Sequence, residues 1–358
     1  MERNLLIETS RMVVKLGTGI LTGRRKQIDP RKIEQLVEQD AAQHKDGREV
    51  VVVSSGAVGA GMGVLNIEKR PTDLSDLQAC AAVGQSALMS TYSELFAKYN
   101  LKVAQVLLTH DDLEDQDRHL NARNTIVSLL DKGVIPIVNE NDAVSYTELK
   151  FGDNDWLASL VACLLPADLL IILTTVDGLV ENFGKKNPHT ITVVEKIDTH
   201  IQKLAGGTLS NMAIGGMEAK IRAAKMTIRT GIPLVIASGK KKRVISNIIH
   251  GKDEGTFFVP RSGKLKGRKR WIAFFHHPKG SLWVDNGARN ALRDKGKSLL
   301  PPGISQCIGE FNKGDVVRIC DLEGTEFSRG ISQYNADEIR ARKLKGVEIV
   351  HRNDLVIL

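Results

Sequence analysis

Six short apolar runs recur through the first two thirds of the chain: RMVVKL (11–16), EVVVVS (49–54), VAQVLLT (103–109), VIPIV (134–138), LLIILT (169–174) and PLVIA (233–237). They are continuous rather than alternating, so each strand must be covered on both faces. Between most of them lie segments with helical spacing of apolar residues, such as DPRKIEQLVEQDAAQHKDG and GQSALMSTYSELFAKYN. That alternation predicts an α/β domain, a mainly parallel sheet sandwiched by helices, with ligands near the carboxyl ends of the strands.

The alternation fades after about Pro260, where PRSGKLKGRKRW reads as a basic connector. Beyond it come short strand candidates, GSLWVD, SLLPPGI, GDVVRICDLEG, EFSRGI and NDLVIL, with one helical insert, NADEIRARKLKG. These predict a small, mostly β, barrel-like domain. The expected division is therefore residues 1–262, a linker over 263–278, and a second domain over 279–358. Charge is divided in the same way: residues 1–260 hold 31 Lys+Arg and 31 Asp+Glu, whereas residues 261–358 hold 19 and 11, a net of +8. A basic module of this kind suits either an anionic partner such as nucleic acid or a plain solvated surface.

Cys80, Cys163, Cys307 and Cys320 form no CxxC pair, which argues against a zinc ribbon or a disulfide scaffold. The longest apolar stretch is interrupted by Pro166 and Asp168, and the N-terminus lacks a secretory pattern, so a cytoplasmic protein with no membrane span is expected.

Four turns at strand ends could carry chemistry. KLGTG (15–19) places Lys15 and Gly17 after the first run; SSGAVGAGMG (54–63) places Ser55 and Gly56 after the second. NENDAVSYTELKFGDND (139–155) brings two Asn-Asp clusters after the fourth, and AIGGMEAKIRAAK (213–225) leads into a helix carrying Lys220. Asn and Asp are turn formers, so the third stretch fits both a turn and a grip on something small and charged. There is neither a GxxxxGK[ST] loop nor a GxGxxG fingerprint. Two lysines, backbone donors at Gly17, Gly56 and Gly216, and acidic clusters on one sheet suit phosphoryl transfer, which asks mainly for positioning and positive charge. A carboxylate acceptor would be ionised already and would need no general base.

The blocks VVKLGTGILTG, VVVSSGAVGAG, AAVGQ, LNARNT, PIVNENDAV, FGDND and GGMEAK, in this order, closely resemble glutamate 5-kinase of the amino-acid kinase superfamily. SLLPPGI, GEFNKGDVVRICDLEG and SQYN resemble its appended PUA domain. The resemblance implies ATP-dependent phosphorylation of the side-chain carboxylate of L-glutamate to L-glutamyl 5-phosphate, the first step towards proline. It implies that Lys15 and Lys220 contact the phosphates, that Asp155 holds both lysines, and that Ser55, Gly56, Asp142 and Asn154 bind glutamate. Nucleotide contacts are expected from Lys15, Gly17, Thr174, Thr175, Ile214, Gly215, Gly216, Met217, Glu218, Ala219 and Lys220. Mg2+ is expected on ATP phosphates and water, with no protein metal ligand.

Four positions depart from the family pattern: Thr175 stands where LTD is usual, Ala213 and Ile214 stand where GTGGM is usual, and Leu77 replaces a common lysine. Proline as feedback inhibitor, a homo-oligomer (dimer or tetramer) and RNA bound by the PUA domain follow as expectations. N-acetylglutamate kinase is the nearest alternative, and the acidic group in NENDAV favours a free α-ammonium over an acetylated one. UMP kinase is disfavoured by the tail, and an RNA-binding module with a degenerate kinase domain by the retained Lys15, Asp155 and Lys220.

Overall fold

The computed structural model describes residues 2–23, 27–144, 154–183, 186–206, 214–260, 267–274 and 278–358. The chain separates into two compact units, Met1–Gly263 and Lys264–Leu358.

All six apolar runs form strands: β1 Arg11–Leu16, β2 Glu49–Ser54, β3 Lys102–Leu108, β4 Val134–Glu140, β5 Leu169–Thr174 and β9 Leu234–Ser238. The intervening β6 Val180–Glu181 and β7 His189–Thr190 form a separate hairpin, while β8 Val193–Val194 and β10 Thr256–Phe258 join the main sheet. These two- and three-residue elements are too short to show a period in the sequence. Among the described residues the main sheet runs β3-β4-β2-β1-β5-β9-β10-β8, parallel except where β10 meets β9.

Alternation along β1 assigns the two faces. Met12, Val14 and Leu16 enter one core with Leu36 and Val37 of the helix Pro30–Lys45 and with Leu88, Tyr92 and Phe96 of the helix Leu74–Ala97. The opposite face of β1 meets the helix Asn154–Leu164, which in turn packs on the helix Ile214–Arg229. Burying both faces of a Val/Ile/Leu-rich sheet removes apolar area worth about 25 cal/mol per Å2 from water.

Glycines set the closest helix contact. A Cβ at Gly84, in Leu74–Ala97, would lie 1.8 Å from the Ala57 carbonyl oxygen and 2.2 Å from the Gly61 nitrogen. A Cβ at Gly61, in the helix Ala57–Val64, would lie 1.8 Å from the Cys80 carbonyl oxygen. The two helices thus touch backbone to backbone, and only hydrogen at both positions permits it.

In the second unit, β11 Gly280–Val284, β12 Ile304–Gly309, β13 Val316–Cys320, β14 Glu326–Ile331 and β15 Leu355–Ile357 form a sheet ordered β12-β11-β13-β14-β15. Of the expected strand SLLPPGI, only Ile304 belongs to β12; Pro301–Gly303 is a 3-10 turn, because proline has no N–H for a ladder. The helical insert is short, Ala336–Arg340, with Asn335 and Glu338 forming a reciprocal cap. Within the segment expected as a linker, Gly267–Phe274 is a helix packed on β14 and β15, with Trp271, Ile272 and Ala273 buried and Arg329 Nη1 donating to the Ala273 carbonyl at 2.9 Å. The apolar WIA at the end of the basic run is what anchors it. The pair His276–His277 lies outside the described residues.

Candidate active site

The chain leaves β1 towards β2 and later returns as β5 on the other side of β1, with Lys15 opposite Val53 and Ile172. Such a reversal opens a crevice at the carboxyl end of the strands. Lys15 lies on the β1 face that carries the helix Asn154–Leu164, and Asp155 is that helix's second residue.

Asp155 receives two ammonium groups. Lys15 Nζ lies 2.5 Å from Oδ1 and Lys220 Nζ 2.8 Å from Oδ2, with all three side chains at most 10% exposed. Lys220 also donates to the Gly216 carbonyl at 3.0 Å, which ties it to the opening turns of Ile214–Arg229. Burial would raise the Asp155 pKa, and the two ammonium groups outweigh it, holding the carboxyl below the usual aspartate range. The carboxylate stays ionised, and the cluster keeps one net positive charge in a site largely shielded from water. That is an anion-binding arrangement.

Beside it runs a second cluster made of amides. Asn154 Nδ2 lies 2.9 Å from the Ser54 carbonyl, 3.0 Å from Ser55 Oγ and 2.9 Å from Asn139 Oδ1. Asn139 Nδ2 donates to Gln85 Oε1 at 2.9 Å, and Gln85 Nε2 donates to Gln105 Oε1 at 2.9 Å. Asn139, at the end of β4, is 1% exposed. Gly56 follows Ser55 with φ of 106°, a conformation that favours glycine, and opens the helix Ala57–Val64. Asp142 sits three residues beyond Asn139 in the turn after β4, and it is Asn139 that Asn154 contacts.

The expected nucleotide residues fall into two places. Thr174 ends β5 and accepts the Gly239 N–H at 2.9 Å, and Thr175 follows it, exposed, with its methyl carbon 2.7 Å from where a Cβ at Gly19 would stand. Ile214, Gly215, Gly216, Met217, Glu218, Ala219 and Lys220 open the helix Ile214–Arg229, and the N–H groups of Ile214, Gly215, Gly216 and Met217, its first four, have no partner inside the helix. Gly17 serves differently from the expected backbone donor: its N–H donates to the Leu173 carbonyl at 3.1 Å. Its contribution is space, since a Cβ there would lie 3.1 Å from that same oxygen and 3.6 Å from Lys15 Nζ. Leu77 is buried against Met62 and Cys80. Ala213 and most of the FGDND block lie outside the described residues.

Sequence reasoning placed AAVGQ and NEND among its blocks without giving Gln85 or Asn139 a task. The signal was an amide at each of three strand or helix positions, which only the tertiary register brings together.

Comparison with known proteins gives the family. The family model described as "Amino acid kinase family" matches residues 10–238, and that described as "PUA domain" matches residues 280–352. A glutamate 5-kinase from Citrifermentans bemidjiense is 43% identical over the full length of both chains. Another from Methylococcus capsulatus is 43% identical, covering 99% of each. Among solved structures, a carbamate kinase from Giardia lamblia bound to AMP-PNP superposes with a TM-score of 0.52 at 20% identity, covering 71% of this chain and 100% of that one. This last likeness concerns the fold alone. A buried Lys-Asp-Lys cluster at the switch point of the sheet, with relatives aligned end to end at this identity, places the chain in the glutamate 5-kinase family, an amino acid kinase with a carboxyl-terminal PUA domain.

Proposed function

We infer that the chain transfers the γ-phosphoryl group of ATP to the side-chain carboxylate of L-glutamate, giving L-glutamyl 5-phosphate and ADP, the first step of proline biosynthesis. The observation that carries this reading is the single carboxylate of Asp155 gripped by both Lys15 and Lys220. A carboxylate oxygen of glutamate forms the new bond to phosphorus, the bond to the β,γ-bridging oxygen breaks, and ADP leaves with that electron pair. The acceptor is ionised at neutral pH, so no proton has to be moved. Lys15 and Lys220 neutralise charge on the migrating group, and Asp155 keeps their ammonium groups in place before ATP arrives, which lowers the reorganisation needed.

Ser55, Gly56, Asp142 and Asn154 form the acceptor pocket in this reading, with Asp142 suited to the α-ammonium. Gly17, Thr174, Thr175 and residues 214–220 bind the nucleotide. Mg2+, when bound, would supply charge neutralisation on the phosphates; both Asp155 oxygens are taken by lysines, which leaves that carboxylate unavailable as its ligand.

The test is ADP formation with magnesium and L-glutamate, N-acetyl-L-glutamate or UMP, with Lys220→Met as control. Turnover with L-glutamate alone, lost in the control, is expected; turnover with one of the other acceptors in its place would overturn the assignment.

Proline belongs to the same reading as a competitor for the acceptor pocket, because it offers the same α-carboxylate beside a ring ammonium; initial rates at fixed glutamate test it. So does a homo-oligomer, tested by mass in solution. The PUA match and the net +8 on residues 261–358 support RNA as a partner of the second unit. A cytoplasmic location completes the reading; among the described residues no helix is long and apolar enough to cross a membrane.

A further inference from the structure

The amide cluster has a direction, and one end of it fixes the other. The Ser54 carbonyl can only accept, so the Asn154 atom 2.9 Å from it is the Nδ2 donor. The Asn139 atom facing that donor must then be Oδ1, which turns Asn139 Nδ2 towards Gln85 and requires Oε1 there. Gln85 Nε2 in turn faces Gln105 Oε1. Every link is 2.9 Å, and the orientation of four side-chain amides follows from one backbone oxygen. With its two N–H bonds committed to Ser54, Ser55 and Asn139, Asn154 can offer a ligand only its carbonyl oxygen.

We propose that Gln85, backed by Gln105, is a positioning residue that locks Asn139 and through it holds Asn154 as an obligate acceptor, making the acceptor pocket selective for a substrate with a free ammonium group. This rests on the proposed glutamate kinase reading. Without the Gln85 acceptor, Asn139 loses the partner of its Nδ2 and gains an alternative amide orientation that would set its NH2 group against that of Asn154. The pocket then no longer presents one fixed polarity. Gln85 itself touches no reacting group, so the chemical step is left intact.

Gln85→Met removes the acceptor at similar length, and Gln85→Glu retains an acceptor for Asn139 while losing the donor to Gln105. The expected result for Gln85→Met is a rise of about tenfold in KM for L-glutamate, the scale of one lost, partly buried hydrogen bond. kcat and KM for ATP should stay within about twofold, and Gln85→Glu should bring KM back to within about threefold of wild type. Gln105→Met should show a smaller rise in the same constant. An unchanged KM for glutamate in Gln85→Met overturns the proposal while leaving the kinase reading in place. A rise in KM for ATP by the same factor, with no recovery in Gln85→Glu, overturns it too, because that pattern is general loosening of the fold. If the wild-type protein turns over with N-acetyl-L-glutamate or UMP but not with L-glutamate, the kinase reading fails first and takes the proposal with it.

Discussion

Replacing Gly84 by alanine tests the backbone contact between the helices Ala57–Val64 and Leu74–Ala97. The added Cβ would stand 1.8 Å from the Ala57 oxygen, 2.2 Å from the Gly61 nitrogen and 2.9 Å from the Ala57 carbonyl carbon. All three are backbone atoms, so no side chain can rotate away, and the helices must part by more than an ångström. Overpacking of this kind costs about 1–3 kcal/mol, and the rigidity of the neighbours places this case at or above the upper end. Alanine's better helix propensity returns about 1 kcal/mol, leaving a net loss of about 2 kcal/mol. Urea denaturation reads this as a lower midpoint at unchanged slope. Ser86→Ala, at an exposed position on the same helix, serves as control and should move the midpoint little. The helix Ala57–Val64 begins beside Ser55, so the KM for the acceptor should rise as well. A Gly84→Ala protein as stable as wild type would refute the packing argument outright.

Three further outcomes are expected. Asp155→Asn leaves two buried ammonium groups without their carboxylate, so it should destabilise the protein by about 3 kcal/mol, recover part of that on adding ATP, and abolish turnover; full activity would remove Asp155 from the mechanism. Because the Asp155 pKa is depressed in the folded state, its contribution is present above the unfolded value near about 4 and is lost as pH falls through the folded value. Asp155→Asn should therefore flatten that acid limb of the wild-type stability profile, and an unchanged limb in thermal melts at several pH values would count against the ion-pair account. Asp40, fully buried in the helix Pro30–Lys45, has no hydrogen bond to either carboxylate oxygen among the described residues, and burial raises its pKa well above the usual range. The stability it lends is full below the unfolded value near about 4 and lost as pH rises through the folded value, so Asp40→Asn should melt higher than wild type at pH 8 and show little advantage at pH 4. Lastly, RNA binding by the full chain, measured by fluorescence anisotropy, should weaken steeply with salt as phosphate contacts release counterions; binding that is absent or insensitive to salt would leave the second unit without that partner.

Much of the fold was legible because its strands are long and apolar enough to announce themselves. β1 and β2 appear in the sequence with their observed boundaries, and Lys15 stands at a strand end where a ligand crevice belongs. The glycines were harder to read. Those of SSGAVGAGMG resemble a phosphate loop, yet Gly61 serves a helix crossing with Cys80, a contact whose partner lies nineteen residues away. Gly17 likewise spends its N–H on Leu173 of the neighbouring strand. The amide chain was invisible for the same reason: Gln85, Gln105 and Asn139 sit on a helix and two strands, and nothing local in the sequence relates their orientations. The Gly267–Phe274 helix was read as a linker because it opens on the basic run Arg268, Lys269 and Arg270 and the apolar trio that anchors it is short.

The order of strands in the sheet also has a consequence for biosynthesis of the active enzyme. Residues 11–140 build β1 to β4 on one side, while residues 169–258 build β5, β9, β10 and β8 on the other, each half from one contiguous stretch of chain. Within the sheet the halves join along the seam between β1 and β5, and the helices Pro30–Lys45 and Val244–Ile249 also pack together across it; Lys15 belongs to the first half, Lys220 to the second. A nascent chain can thus assemble its earlier half first, as vectorial synthesis favours, without holding a competent pair of lysines. If Lys15 and Lys220 act as proposed, activity requires that the two halves have joined along that seam.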